Sequence, residues 1–134
     1  MEFADFVVYQ QQRQDTMNQV QFLLEALIEV RNNEWKVNHL ESNSANPYFC
    51  KAFLTVGRKF FKVMTCDVKS SRDEYNGRDG GSVYMFVDKV TGDVYKPASL
   101  KAPAKGVRFN LLNEEQHEWL CDNADQFGSF LYVR

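Results

Sequence analysis

Residues Ser82–Val107 read SVYMFVDKVTGDVYKPASLKAPAKGV, and this stretch decides the fold class. Val83, Met85 and Val87 alternate with Tyr84, Phe86 and Asp88, the period of a strand with two different faces. Thr91-Gly92-Asp93 supplies a turn in which Gly92 can take a positive φ, and Val94-Tyr95 begins the return strand. Pro97 has no amide proton for a ladder, so pairing is expected to stop near it. Ala98 to Gly106 carries too few apolar residues for a core, and with Pro97 just before it, Pro103 within it and lysines around them it reads as a surface loop held in one shape.

Working upstream, Tyr48–Val56 and Lys59–Val68 are rich in aromatic and β-branched residues and flank Gly57-Arg58. They predict a second hairpin at the centre of a sheet. Ser42–Pro47 is a loop by composition. Trp35–Leu40 alternates and predicts a further strand. Before it, Met17, Val20, Leu24, Leu27 and Ile28 recur at helical spacing behind a capping-box pattern, Thr16-Met17-Asn18-Gln19. A helix from about Thr16 to Asn32 is expected, ended by Asn32-Asn33. Phe3, Phe6, Val7 and Gln10 fit either a preceding helical turn or two, or a short strand.

Downstream, Val107–Leu111 is expected to be a strand. Asn113 is placed to cap a short helix over Glu114–Ala124 that turns Trp119, Leu120 and Cys121 inward. Gly128 breaks it, and Ser129–Val133 is expected as a final strand. Lys69–Ser82 holds three glycines and almost nothing apolar, which predicts a long mobile loop. The whole chain, residues 1–134, is expected to form a single α+β domain. One long helix would pack on an antiparallel sheet of four to six strands, with a short C-terminal helix. Leu24, Leu27, Ile28, Phe53, Leu54, Phe61, Val63, Met85, Val87 and Trp119 are the expected core.

Composition bounds the function. Hydrophobic residues make up 44% of the chain and charged residues 25%, the mixture of an ordinary soluble globular protein. No run approaches the roughly 18 apolar residues that span a bilayer, so no membrane partner is expected. The N-terminal MEFADFVVYQQQ carries Glu2 and Asp5 where a signal peptide would be basic, so secretion is not expected. Cys50, Cys66 and Cys121, odd in number and without CxxC spacing, fit free thiols in a reducing, cytoplasmic setting. The net charge of −2 is unevenly spread: Lys89–Arg108 holds five basic residues and one acid.

Three constellations could carry chemistry. His117 and Cys121 stand four apart on the predicted second helix, a spacing that can turn two ligands to one face, but His39 is the only other histidine. Asp73, Glu74 and Asp79 could gather a divalent cation, although their spacing lacks the regularity of a calcium loop. These two sets support an alternative reading as a small metal-dependent hydrolase using His117 and Cys121 or the 73–79 acidic loop. The third set is the basic loop. Lys96, Lys101, Lys105 and Arg108 could contact phosphates, and Tyr84 and Tyr95 could stack on bases if they face solvent. A different reading makes the same loop a cover over an open sheet edge. No nucleophile elbow, phosphate-binding glycine loop or dinucleotide fingerprint is present, and no cofactor is expected. A non-enzymatic module that binds a macromolecule or self-associates is the favoured class. Its partners would be nucleic acid, a host or phage protein, or a second copy paired through an exposed strand edge.

Asp88–Ser99 (DKVTGDVYKPAS) followed by Lys101–Arg108 (KAPAKGVR) resembles a segment shared by small uncharacterised bacteriophage proteins, notably marine and cyanobacterial ones. Ala124-Asp125 through Leu131-Tyr132 is similar to their ending. Leu100 stands where an aromatic would be expected. The resemblance implies a phage origin and action in the cytoplasm of an infected host cell; it implies no activity.

Overall fold

A computed structural model describes residues 2–42, 45–69 and 81–132. The fold is α+β: helix α1 (Phe3–Glu41), strands β1 (Tyr48–Val56), β2 (Phe60–Lys69), β3 (Ser82–Asp88), β4 (Asp93–Tyr95) and β5 (Phe109–Asn110), and helix α2 (Glu114–Asn123). A 3-10 turn, Ser129–Leu131, follows α2. The five strands pair antiparallel in chain order.

Both hairpins form at the expected residues, but the first is not the centre of the sheet: β1 is an edge strand with only β2 beside it. At the β3–β4 turn, Asp88 Oδ1 accepts from the amides of Val90 and Thr91, and Gly92 takes φ 76°. A Cβ at Gly92 would lie 3.1 Å from Leu112, so both backbone and space call for glycine. Asn113 caps α2 by accepting from the Gln116 amide at 3.1 Å. β5 is shorter than expected, two residues within Val107–Leu111.

Helix α1 departs most from expectation. It is one helix of 39 residues, and the strand expected at Trp35–Leu40 is its last turns. Thr16 is no cap; its hydroxyl donates to the Gln12 carbonyl at 3.0 Å, one turn back inside the helix. Asn32 does not end the helix because its side chain is committed elsewhere. Its Oδ1 accepts from the Ala52 amide and its Nδ2 donates to the Ala52 carbonyl, both at 2.8 Å. The alternation of Trp35–Leu40 is overridden by packing: Trp35 is buried and its Nε1 donates to the Ala124 carbonyl at 3.3 Å.

The core lies between α1, one face of the sheet, α2 and the segment that follows it. It joins Val20, Leu24, Leu27 and Trp35 to Phe61, Val63, Met85, Val87 and Val94, and to Leu120, Ala124 and Leu131. Of the expected core, Ile28 and Leu54 are half-buried against this cluster, and Phe53 against a smaller one of Phe49, Cys66 and Val68. Trp119 is 43% exposed, a correction to its expected burial; its ring stacks on Phe109 at 5.5 Å. The strand expected at Ser129–Val133 is instead the 3-10 turn. Gly128 at φ 69° opens it, and the Leu131 amide donates to the Gly128 carbonyl, closing the chain on itself rather than on the sheet. Phe130 and Leu131 are thereby buried. Val133 and most of the Lys69–Ser82 loop, including Asp73, Glu74 and Asp79, lie outside the described residues.

Candidate interaction surfaces

The basic loop proves to be an extension of the β4–β5 hairpin. Pro97 and Pro103 face each other as a bridge, and the Ala104 amide donates to the Lys96 carbonyl at 2.9 Å. The tip is closed by the Ala98 and Ser99 amides on the Ala102 carbonyl and by Ser99 Oγ, which accepts from the Lys101 and Ala102 amides. Lys62 of β2 reaches the tip and donates to the Leu100 carbonyl at 2.6 Å, with its ammonium 5.4 Å from the Phe86 ring. The tip is therefore docked onto the sheet, and Leu100 itself points to solvent.

Of the residues singled out in the sequence, Lys101 and Lys105 are exposed. Lys96 is half-buried, with Nζ 5.1 Å over the Tyr132 ring, and Arg108 is half-buried beside β4, its amide donating to the Val94 carbonyl. Tyr95 is half-buried, its ring edge-on to Phe60 at 6.0 Å. Tyr84 is not on the solvent face. In the β2–β3 register Val63 opposes Met85 while Met64 opposes Val83, so Tyr84 is the extra residue of a bulge. A bulge breaks strict alternation and turns neighbouring side chains to one face. Tyr84 enters the core with Met85, edge-on to Trp35 at 5.9 Å, and its hydroxyl donates to the Asp125 carbonyl. Burial, then the nearby Asp125 carboxylate, push its pKa far up.

His117 and Cys121 do meet, with Sγ 3.8 Å from Nε2. The same Nε2 lies 2.9 Å from the Leu23 carbonyl of α1, and since a carbonyl only accepts, that nitrogen carries the ring proton. The pair thus ties α2 to α1. Burial also raises the Cys121 pKa, which keeps its thiol protonated. Among the described residues, no three His, Cys, Asp or Glu side chains gather so as to hold a metal ion.

Two surfaces were not read from the sequence. One is an open cleft of about 890 Å³ between the last turns of α1, the start of β1 and residues 122–127. Arg31, Glu34, His39, Asp67, Asp122 and Asp125 line it, with Cys50. Arg31 Nη1 donates to the Ala124 carbonyl, so its guanidinium anchors the cleft wall. The Cys50 thiol is pushed up to about 11, by burial first and then by Asp67 and Cys66, which favours the protonated thiol at neutral pH.

The other surface is the outer half of α1. Through Asp15 every described side chain is exposed, and the first buried one is Val20. The helix therefore projects past the core as an arm of about 25 Å, at 1.5 Å per residue. Phe3 is 82% exposed, and Phe6, Val7, Val8 and Tyr9 are each close to half exposed. The sequence carried this signal in the apolar run Phe6–Tyr9, but nothing in the pattern said that the fold would leave it uncovered.

No helix among the described residues is long and apolar enough to cross a membrane. Neither the curated proteins nor the solved structures contain a match to the chain. A family model does match, over residues 3–133, and on that extent the chain belongs to the family of unknown function DUF7717.

Proposed function

We propose that the protein is a small phage-type module that works without catalysis, by docking a macromolecule on the outer arm of α1. The setting suggested by the resemblance of residues 88–108 is the cytoplasm of an infected cell, marine phages included, with phage or host components as partners. The single observation that carries the reading is the arm: a helical segment with an apolar end whose side chains through Asp15 are left exposed by the described residues. Helices shorter than about 15 residues are marginal in water, and most helical stability in proteins comes from packing an apolar face. Such a segment is best explained as one side of an interface. Thiols kept protonated at Cys50 and Cys121, and a His117 ring nitrogen already bonded, support the non-enzymatic side of the reading.

The test is substitution of Phe3, Phe6 and Val7 together by Gln, which keeps helix propensity and removes the apolar end. Measured at dilution, where the melting temperature no longer depends on protein concentration, the variant should melt within about 3 °C of the parent, as surface changes do. A fall of about 10 °C or more would mean that these residues hold the chain's own core, and the docking reading would fail.

A second reading rests on Lys101 and Lys105. They stand exposed on a hairpin tip whose shape is fixed by the proline bridge and the Ser99 bonds, so little entropy would be lost on meeting a phosphate backbone.

A further inference from the structure

Resting on that docking reading, we infer that the arm's partner is a second copy of the chain, and that the two arms pair antiparallel. The evidence is the pattern along α1. Phe3, Phe6, Gln10, Arg13, Met17, Val20, Leu24 and Leu27 follow one another in alternating steps of three and four, the a and d positions of a heptad seam. Its inner part, Val20, Leu24 and Leu27, is the stripe buried in the core. Its outer part, Phe3 to Met17, is the same stripe continued beyond the body, with Phe3, Phe6, Gln10 and Arg13 exposed and Met17 half-buried.

This outer seam is apolar at both ends and polar in the middle. In an antiparallel pair an a position faces a d position of the other helix. One such register sets Phe6 against Met17 and Gln10 against Arg13, and brings Phe3 to the level of Val20, where the partner's body begins. Apolar meets apolar, and the Gln10 carbonyl can accept from the Arg13 guanidinium. Shifting by one heptad toward the outer ends would set Phe3 against Arg13 and Phe6 against Gln10, leaving apolar rings on polar groups. Asp5 and Asp15 lie away from the seam at helical spacing, so no like charges oppose across it.

Continuity of the seam with the core also selects the direction. A parallel partner running along Phe3–Met17 would continue along the face that Val20, Leu24 and Leu27 present to the chain's own sheet, and would collide with it. An antiparallel partner leaves in the opposite direction, and the two bodies sit at opposite ends of the paired arms. Pairing through the sheet edge is less available. The side chain of Asn32 already occupies the outward amide and carbonyl of Ala52 on β1, and β5 offers only two residues at the other edge.

Sedimentation equilibrium of the full chain from roughly 5 to roughly 200 µM, the range suited to so short an interface, should fit a monomer–dimer equilibrium. Phe3→Gln with Phe6→Gln should shift it to monomer with the near-ultraviolet spectrum unchanged. Orientation is read by oxidative cross-linking, with the parent chain as control for Cys50, Cys66 and Cys121. Phe6→Cys chains mixed with Met17→Cys chains should form a covalent dimer, and Phe6→Cys alone should not. A parent chain that stays monomeric throughout, a dimer that survives loss of both phenylalanines, or cross-linking of Phe6→Cys with itself would each overturn the pairing. A monomeric parent whose Gln variants keep their melting temperature would leave the arm a docking surface for a different partner. A collapsed melting temperature would remove the docking reading itself.

Discussion

Asp125 and its neighbours show how single residues seal one end of the molecule. The Asp125 carbonyl takes the Tyr84 hydroxyl, and its carboxylate accepts from the Ser129 amide and the Ser129 hydroxyl. One residue earlier, the Ala124 carbonyl takes both Arg31 and Trp35. Two titrating groups near this seal carry a pH signature. Burial disfavours the charged form of a thiol or a phenol, so the folded chain holds the Cys50 and Tyr84 protons more tightly than the unfolded chain does. The stability they contribute is fully present below the unfolded pKa values and is lost as pH rises through the folded ones. For Cys50 the window runs from 9.0 to about 11. The melting temperature should hold steady from pH 6 to pH 8 and then fall by ~5 °C or more on approaching pH 11. Cys50→Ala should make that fall shallower. An unchanged profile in the Cys50→Ala variant would show that its thiol is not held protonated by the fold. Tyr84 also marks what the sequence could not disclose at this scale. Alternation alone assigns it to the solvent face, and only the extra residue in the β2–β3 register turns it inward.

At the scale of elements, the hairpins, the α2 cap and the α+β class were legible because their signals are local: a turn glycine, an asparagine cap, strand alternation. The length of α1 was not, because its apparent stop is a tertiary contact. Asn32-Asn33 reads as a terminator until Ala52 is seen to occupy the Asn32 side chain. Trp35–Leu40 alternates by chance, and burial of Trp35 against the Ala124 carbonyl decides for helix. The basic hairpin was half legible. Its prolines and lysines announced a fixed surface feature, but the docking of Lys62 on the Leu100 carbonyl and of Lys96 over Tyr132 could not be foreseen. What remains exposed gives a direct test. Short single- and double-stranded DNA and RNA, titrated at two salt concentrations, should bind more weakly at the higher salt if Lys101 and Lys105 meet phosphates. Lys101→Ala with Lys105→Ala should then lower affinity and flatten the salt dependence, with the melting temperature unchanged. No binding at low salt would end the nucleic-acid reading and leave the hairpin as a cover docked on the sheet.

For the whole molecule, the governing feature is that one helix serves two surfaces with a single stripe. Its inner turns close the chain's own core, and its outer turns present the same face to solvent. An arm with no partner is held only by its continuity with the packed turns, so its amides should open readily. An arm covered by a second copy should exchange as slowly as other packed helix. Amide hydrogen exchange of residues 5–19, followed as protein concentration is raised across the dimerisation range, tests this most directly. A self-pairing arm should exchange fast in dilute solution and gain protection as concentration rises, while protection of Leu24 and Leu27 stays constant. Exchange in the arm that is the same at every concentration would contradict the pairing.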